Sequence, residues 1–398
     1  MLTPLRLIVD EGVTIDMGKM KHIEYSPETK LASISAGALW EDVYGALQPH
    51  GVTAPGGRSS TVGVMGFLTG GGNNFFSADV GLGCDNVENF EVVLAGGSVV
   101  NTKTDGHADL HKALKGGSLN FGIVTRVDMR TVEVGNIWGG QVTYPLNTTD
   151  QHIDAYVRWV DNIPEYTTGS AVAFWSYTPD TGIIVAAALH DVSDTEWAPA
   201  YDDFKTIEPK TSNSLRHETH LNLTAELNET LGYRQVWMTL TGKNDARFIR
   251  QAVEAQAKFI ESWEATQDPD FFNYITFQAM PTLLFEHSVE NGGNVIGMDR
   301  EEDDAILFQL QHMVRSAEDE EKARVQIVAM REELKASFIL QGIDVEWEYL
   351  GYADGTQDPL STYGAENIKF LKDVAAKYDP EEVFQKRVPG GFKVSDVL

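Results

Sequence analysis

The sequence predicts an α+β fold, and three changes of character along the chain predict it. Residues 1–134 are glycine-rich and strand-like. Residues 135–345 alternate strand-like runs with amphipathic helices, and residues 346–398 return to a strand, one helix and an irregular tail. At 398 residues, with 42% hydrophobic and 23% charged side chains, the chain has the apolar material for a sizeable core and the length for two or three domains.

In the first stretch, GVTID and KLASISAG alternate polar and apolar residues and read as short strands. Leu39, Val43, Ala46 and Leu47 recur at helical spacing, so Leu39 to Gln48 reads as a short amphipathic helix on which Trp40 and Tyr44, one turn apart, pack together. From Pro55 to Gly83 glycine stands at positions 56, 57, 63, 66, 70, 71, 72, 81 and 83. Glycine at that density marks turns with positive φ, or backbone lying directly against a flat or charged group. A loop bed for a cofactor and a plain set of hairpins are both open at this point. NFEVVLAGGSVVNT reads as two strands around a Gly-Gly turn, and NFGIVTRVDMRTV as another strand.

In the middle stretch QVTYPL, AVAFWSY and GIIVAAALH read as strands, and DARFIRQAVEAQAKFIESWEA as a helix. EDDAILFQLQHMVRSAEDEEKARVQIVAMREELKASFILQG reads as a pair of helices with AEDEEKAR as a solvated face or turn. Together they predict an antiparallel sheet covered by helices. Near the end, EWEYLGYAD reads as a strand with Glu346 and Glu348 on one face and Trp347 and Tyr349 on the other. The two carboxylates are either a solvent face or an acid–base pair. TYGAENIKFLKDVAAKYDP reads as a helix stopped at Asp379-Pro380.

Composition narrows the function. With 31 basic against 59 acidic side chains the formal charge is −28, which argues against nucleic acid, whose phosphates need clustered Lys and Arg. The single cysteine, Cys84, allows neither an internal disulfide nor a thiolate metal site, and reads as a small packed side chain. No apolar run is long enough for a membrane helix. The first twenty residues lack a signal-peptide core, while sequons stand at Asn147, Asn222 and Asn228, so the compartment stays open. Dinucleotide GxGxxG, P-loop, GxSxG and HExxH patterns are missing. His217-Glu218-Thr219-His220 has its histidines three apart and reads as an exposed polar turn, so no metal site is assigned.

The segments GVTIDM, SAGALWEDVY, PGGRSSTVGVMGFLTGGG, GLGCDNVENFEVVLAGGSVV and DLHKALKGGSLNFGIVT, in that order, resemble the FAD-binding domain of fungal berberine-bridge-enzyme-like oxidases. These belong to the vanillyl-alcohol-oxidase / p-cresol-methylhydroxylase (PCMH) superfamily. YLGYADGTQDPLSTYG, FLKDVAAKYDPEEVFQ and PGGFKVS resemble the end of the same family, and FQAMP and GGNVIGMD its middle. Each motif is modest, but their joint order along the chain is specific.

The resemblance implies a PCMH-type FAD-binding domain over 1–134, N-terminally incomplete. It implies a substrate-binding domain over 135–345 and a C-terminal segment, 346–398, that returns to the FAD domain. It further implies an FAD-dependent oxidase or dehydrogenase acting on a small organic molecule (a secondary metabolite, phenol, alcohol or sugar) by hydride transfer to flavin, with O2 as acceptor. Carried over residue by residue, Gly57, Ser59, Thr61, Val62, Gly63 and Gly66 lie where the family's loop passes the flavin and pyrophosphate, continued by Gly70, Gly71 and Gly72. Gly81, Asp85, Asn86 and Val87 match its G-x-x-x-D-N-V contact, and Gly122, Ile123 and Val124 its flavin-side strand. Tyr352 takes the place of a catalytic base. Tyr349, Gln278 and Met280 take places near the substrate.

Several positions depart from the family. The Arg-x-Gly-Gly-His loop that holds the pyrophosphate and carries the covalent histidine has its place ahead of residue 1. Ser59 stands where some members have a cysteinyl link, so FAD is expected to bind non-covalently. Gly351 replaces the asparagine of Y-x-N-Y, His111-Lys112 an aromatic pair, and Gly96 a turn acid. These departures leave open a flavin-free isomerase or cyclase using the same pocket, and a non-catalytic small-molecule-binding remnant. The expected partner is a small molecule rather than nucleic acid or membrane; the oligomeric state is left open.

Overall fold

Two antiparallel sheets organise the chain in this computed structural model, which describes residues 12–103, 106–228, 230–264 and 269–398. The first is built from β1 (Ile23–Ser26), β2 (Leu31–Ser35), β3 (Val87–Val93), β4 (Val99–Asn101) and β5 (Ile123–Arg130), in the order β1-β2-β5-β3-β4. The turn between β3 and β4 closes with Leu94 N–H on Ser98 O at 2.9 Å, and Gly97 at φ 81° supplies the conformation the turn needs. Two short helices pack beside this sheet, α1 (Trp40–Leu47) and α2 (Val64–Thr69). Of the spacing read from the sequence, Val43 and Leu47 are buried on α1, Ala46 is half-buried and Leu39 is the half-buried N-cap; Trp40 and Tyr44 complete the buried face, and their rings stack with centroids 5.7 Å apart.

The second sheet carries β6 (Ile137–Pro145), β7 (Gly169–Thr178), β8 (Gly182–Asp191), β9 (Arg234–Lys243), β10 (Phe272–Met280) and β11 (Ala305–Val314), in the order β6-β8-β7-β10-β11-β9. Its helices include α3 (Thr149–Asp161), α4 (His220–Ala225), α5 (Ala246–Glu264) and α6 (Ala317–Gln341); α3, α5 and α6 cover one face. Phe248 of α5 meets Phe277, Phe308 and Phe338, and Gln256 donates to Asn273 Oδ1 at 2.9 Å. Side chains alternate along a strand. With Asn273, Phe277 and Phe308 turned to the helices, Thr276, Gln278 and Gln309 fall on the opposite face, towards the first sheet. None of the described helices is long and apolar enough to cross a membrane.

The C-terminal segment leaves the second sheet and docks on the first lobe through α7 (Ala365–Tyr378) and the tail. Tyr378 donates to Asp109 Oδ1 at 2.8 Å, Lys377 pairs with Asp109 at 2.6 Å, and Val394 N–H reaches Asn120 Oδ1 at 3.2 Å.

Four sequence expectations are corrected. GVTID, residues 12–16, forms no strand. The expected first helix of residues 302–342 is the strand β11, buried at all ten positions; a continuous apolar run carries no period that separates strand from helix. Helix begins only at α6, where Ser316 Oγ caps Asp319 N–H at 3.0 Å. Residues 346–354 are not a strand, because the chain turns into a short 3₁₀ helix at Leu350–Tyr352. Glu346 is exposed, whereas Glu348 is buried against Arg331, Lys335 and Gln357, so the carboxylates do not share a face and form no acid–base pair. His217-Glu218-Thr219-His220 is not an exposed turn. It joins the strand Arg216–Glu218 to α4 through a Thr219 cap, and His220 is buried. The final alanine of the expected helix 245–265 and the first eleven residues of the chain lie outside the described residues.

Candidate functional site

The glycine-rich segment divides into a buried part and a rim. Gly57, Gly70, Gly71, Gly72, Gly81, Asp85, Asn86, Val87 and Gly122 are buried; Ser59, Val62, Gly66, Ile123 and Val124 are half-buried; Thr61 and Gly63 are exposed. Most of the buried glycines are required by the protein's own packing. A Cβ on Gly57 would lie 2.7 Å from Trp40 Cδ1, one on Gly72 2.6 Å from Phe67 Cε1, and one on Gly122 2.5 Å from Val92 Cγ1. Asp85 and Asn86 also work inward. The Asp85 carboxylate accepts from Leu82 N–H, Ser288 and Asn294, and Asn86 donates to Val80 O and Leu82 O, both at 3.0 Å. Burial raises the Asp85 pKa, opposed by those hydrogen bonds and by the Lys115 charge.

The rim is different. Gly63 has nothing within 4 Å of the place a Cβ would take, and it opens α2 without a side-chain cap; the first amide of that helix, Val64 N–H, is taken by Ala38 O at 3.2 Å. Asn228, reaching over from the second lobe, ties the preceding loop: its Oδ1 accepts from Ser59 Oγ at 3.0 Å, Ser60 Oγ at 3.2 Å and Thr61 N–H at 3.3 Å. An open, glycine-lined rim fits the flat ring and phosphates of FAD.

Beside this rim, three parts of the chain converge on one atom. Gln278, on β10, turns its side chain towards the first lobe, and its Oε1 accepts from the Arg58 guanidinium, from Asn73 Nδ2 at 3.3 Å and from the Tyr352 hydroxyl at 3.3 Å. Gln278 Nε2 points back along the sheet face to Gln309 Oε1 at 3.4 Å. Trp237 stacks on Tyr352 with centroids 5.8 Å apart. Tyr349, three residues earlier, plays another part. Its buried hydroxyl accepts from Gly72 N–H at 3.0 Å and Asn73 N–H at 3.3 Å, fixing the glycine loop, and burial holds its pKa well above the usual tyrosine value. Of the residues read from sequence as substrate-side, Gln278 and Tyr352 share this centre, while Tyr349 lies behind it. Met280 is buried two residues along β10.

Arg58 and Asn73 were missed. A signal for Arg58 existed: it is the only Lys or Arg between Lys30 and Lys103. A separate cavity of about 330 Å³ opens between α1 and α4, lined by Tyr44, Thr53 and His220 among others, away from Gln278. His220 Nδ1 lies 2.9 Å from Thr53 Oγ1, and burial pushes its pKa down to about 3, so the ring is neutral. Among the described residues no group of three or more His, Cys, Asp or Glu side chains is arranged to hold a metal ion.

Comparison with known proteins bears on this arrangement. The FAD binding domain family matches residues 3–103. The FAD-dependent monooxygenase drtC of Aspergillus calidoustus is 38% identical over 97% of this chain and 74% of its own. The FAD-dependent monooxygenase sdcF of Emericella nidulans is 38% identical over 97% of this chain and 81% of its own. The structure of a single-site variant of berberine bridge enzyme superposes with a TM-score of 0.69 at 14% identity, over 92% of this chain and 79% of that one, a likeness of fold.

Proposed function

The chain belongs to the fungal berberine-bridge-enzyme-like FAD-dependent oxidoreductases, and on that premise we propose that it oxidises a small organic molecule held between the Gln278 face of the second sheet and the rim of the glycine loop. Bound FAD supplies a two-electron acceptor that takes hydride and passes the electrons to O2. The protein's own groups do the rest. Ser59, Thr61, Val62, Gly63 and Gly66, with Ile123 and Val124, hold the cofactor by backbone contact, non-covalently. The buried glycines Gly57, Gly70, Gly71, Gly72, Gly81 and Gly122, with Asp85, Asn86 and Val87, hold the shape of that bed from behind.

Tyr352, once its hydroxyl has released its own proton to solvent, receives as phenolate the proton that leaves the substrate as its C–H bond gives up hydride. Gln278 fixes the Tyr352 hydroxyl, and Trp237 closes the side of the site. The observation that carries this reading is the convergence of Arg58, Asn73 and Tyr352 on Gln278 Oε1, because it joins both lobes and the C-terminal segment at a single polar centre beside the open rim. The substrate class is a secondary metabolite, phenol, alcohol or sugar, and no nucleic acid or membrane partner is needed.

A visible absorption spectrum of the purified protein, with added FAD and after acid precipitation, tests this. Flavin bands that pass to the acid supernatant, with peroxide formed on turnover, are the expected result. A colourless protein that ignores added FAD would sink the oxidase reading, and turnover without flavin would establish redox-neutral chemistry in its place.

A further inference from the structure

Arg58 is a cation without a counter-charge. The chain carries 28 more acidic than basic side chains, yet among the described residues Arg58 forms no ion pair. Other arginines at part-buried positions are matched: Arg324 pairs with Asp354 and Glu320, and Arg331 with Glu348. Arg58 is half-buried and meets only a neutral acceptor, Gln278 Oε1, which it shares with Asn73 and Tyr352. Three donors crowd two lone pairs, while most of the five N–H groups of the guanidinium stay free.

The sheet face beside it is neutral as well, with Thr276, Gln309 and the indole of Trp237. The charge is nonetheless felt nearby. Burial drives the pKa of Tyr349 up and that of His190 down, and Arg58 lowers both. A partly desolvated charge is costly unless it is paired. A guanidinium offers a planar fork shaped for two oxygens.

We propose that Arg58 is the anion receptor of the substrate site, so that the substrate is bound through an ionised oxygen (a phenolate, enolate or carboxylate) paired with its guanidinium. The assignment rests on the reading of the Gln278 centre as the substrate site. Bound flavin is a second source of anionic oxygen, and the test separates the two.

Benzoate and benzamide, equal in shape and different in charge, are titrated into the FAD-loaded protein by calorimetry and by perturbation of the flavin spectrum. Benzoate is expected to bind at least about tenfold tighter. Arg58→Met should abolish that preference by weakening benzoate far more than benzamide, while Arg58→Lys keeps part of it. If Arg58→Met fails to fold, the wild-type ratio and Arg58→Lys still decide. Equal binding of both probes to the wild type overturns the inference and leaves the oxidoreductase site standing. So does an Arg58→Met protein whose flavin bands shift while the probe ratio holds, because the anion is then the cofactor's. Flavin-loaded protein that binds neither probe overturns the inference and the placement of the substrate site together.

Discussion

The indole of Trp40 lies where a side chain on Gly56 would have to go: a Cβ there would sit 2.2 Å from Trp40 Cε3. Both residues are buried, and the neighbouring Gly57 meets the same ring. The glycine pair is therefore fixed by packing before any cofactor arrives. Gly56→Ala should destabilise the flavin-free protein by about 2–3 kcal/mol through overpacking, read by urea unfolding. Adding Trp40→Leu should recover part of that loss. A Gly56→Ala protein as stable as wild type without flavin, but unable to bind it, would assign the pair to the cofactor instead.

Tyr349 and Tyr352 are neighbours with opposite duties, and conservative substitutions should separate them. Tyr349→Phe leaves the buried amides of Gly72 and Asn73 without their acceptor, a loss of about 1–3 kcal/mol in stability. Tyr352→Phe removes a half-buried hydroxyl whose partner, Gln278, keeps two other donors. Its stability should stay within about 0.5 kcal/mol of wild type, while turnover falls by roughly 10²–10⁴ as a proton acceptor is lost. Thermal melts and steady-state rates on the two variants check this, and the reverse pattern would make Tyr349 the reacting group.

How much of this was legible depended on whether the signal was local. The helix α1 could be read because its buried residues repeat with the period of the helix itself. The strand β11 could not, because it is buried on both faces and its run of apolar residues has no period. Glu348 looked like one tooth of a strand. Its burial depends on Arg331 and Lys335, which approach only once α6 has folded across the sheet. Gln278 was singled out by its place in a motif. Arg58 stood out only as a lone basic residue, and its relation to Gln278, 220 positions away, appears only when the two lobes close on each other.

The buried cluster at Glu348 makes a prediction about stability alone. Its side chain, 4% exposed, is held by Arg331, by Lys335 at 3.3 Å and by Gln357 at 2.9 Å. Glu348→Leu removes the buried carboxylate that Arg331 meets, leaving it only the exposed Glu332, and takes an acceptor from Gln357 as well; it should cost about 3–5 kcal/mol. Replacing Arg331 as well, with Met, should restore most of the loss, because the pair must overcome its own desolvation. Denaturation midpoints of the two single variants and the double variant close the cycle; additive losses would contradict the coupling.

Acid should destabilise the fold well before its carboxylates are titrated. His190, His220 and His312 are buried, and burial holds each at a pKa of about 3, helped at His190 by the charge of Arg58. In the unfolded chain such rings titrate near 6.5. Between those values the unfolded chain binds protons that the folded protein excludes, so this contribution is fully present above about pH 6.5 and is lost as the pH falls. Each ring removes about 1.4 kcal/mol per pH unit over that window. The melting temperature should therefore fall steeply from pH 7 to pH 5. His312, enclosed by Phe259, Trp263 and Phe271, is the ring to replace, since it lies far from the Gln278 centre in the layer beneath α5. His312→Phe should flatten the dependence by one proton whatever it does to the starting stability, because the phenyl ring has no site to protonate. An unchanged slope in that variant would mean that His312 is already charged in the folded protein, against its burial.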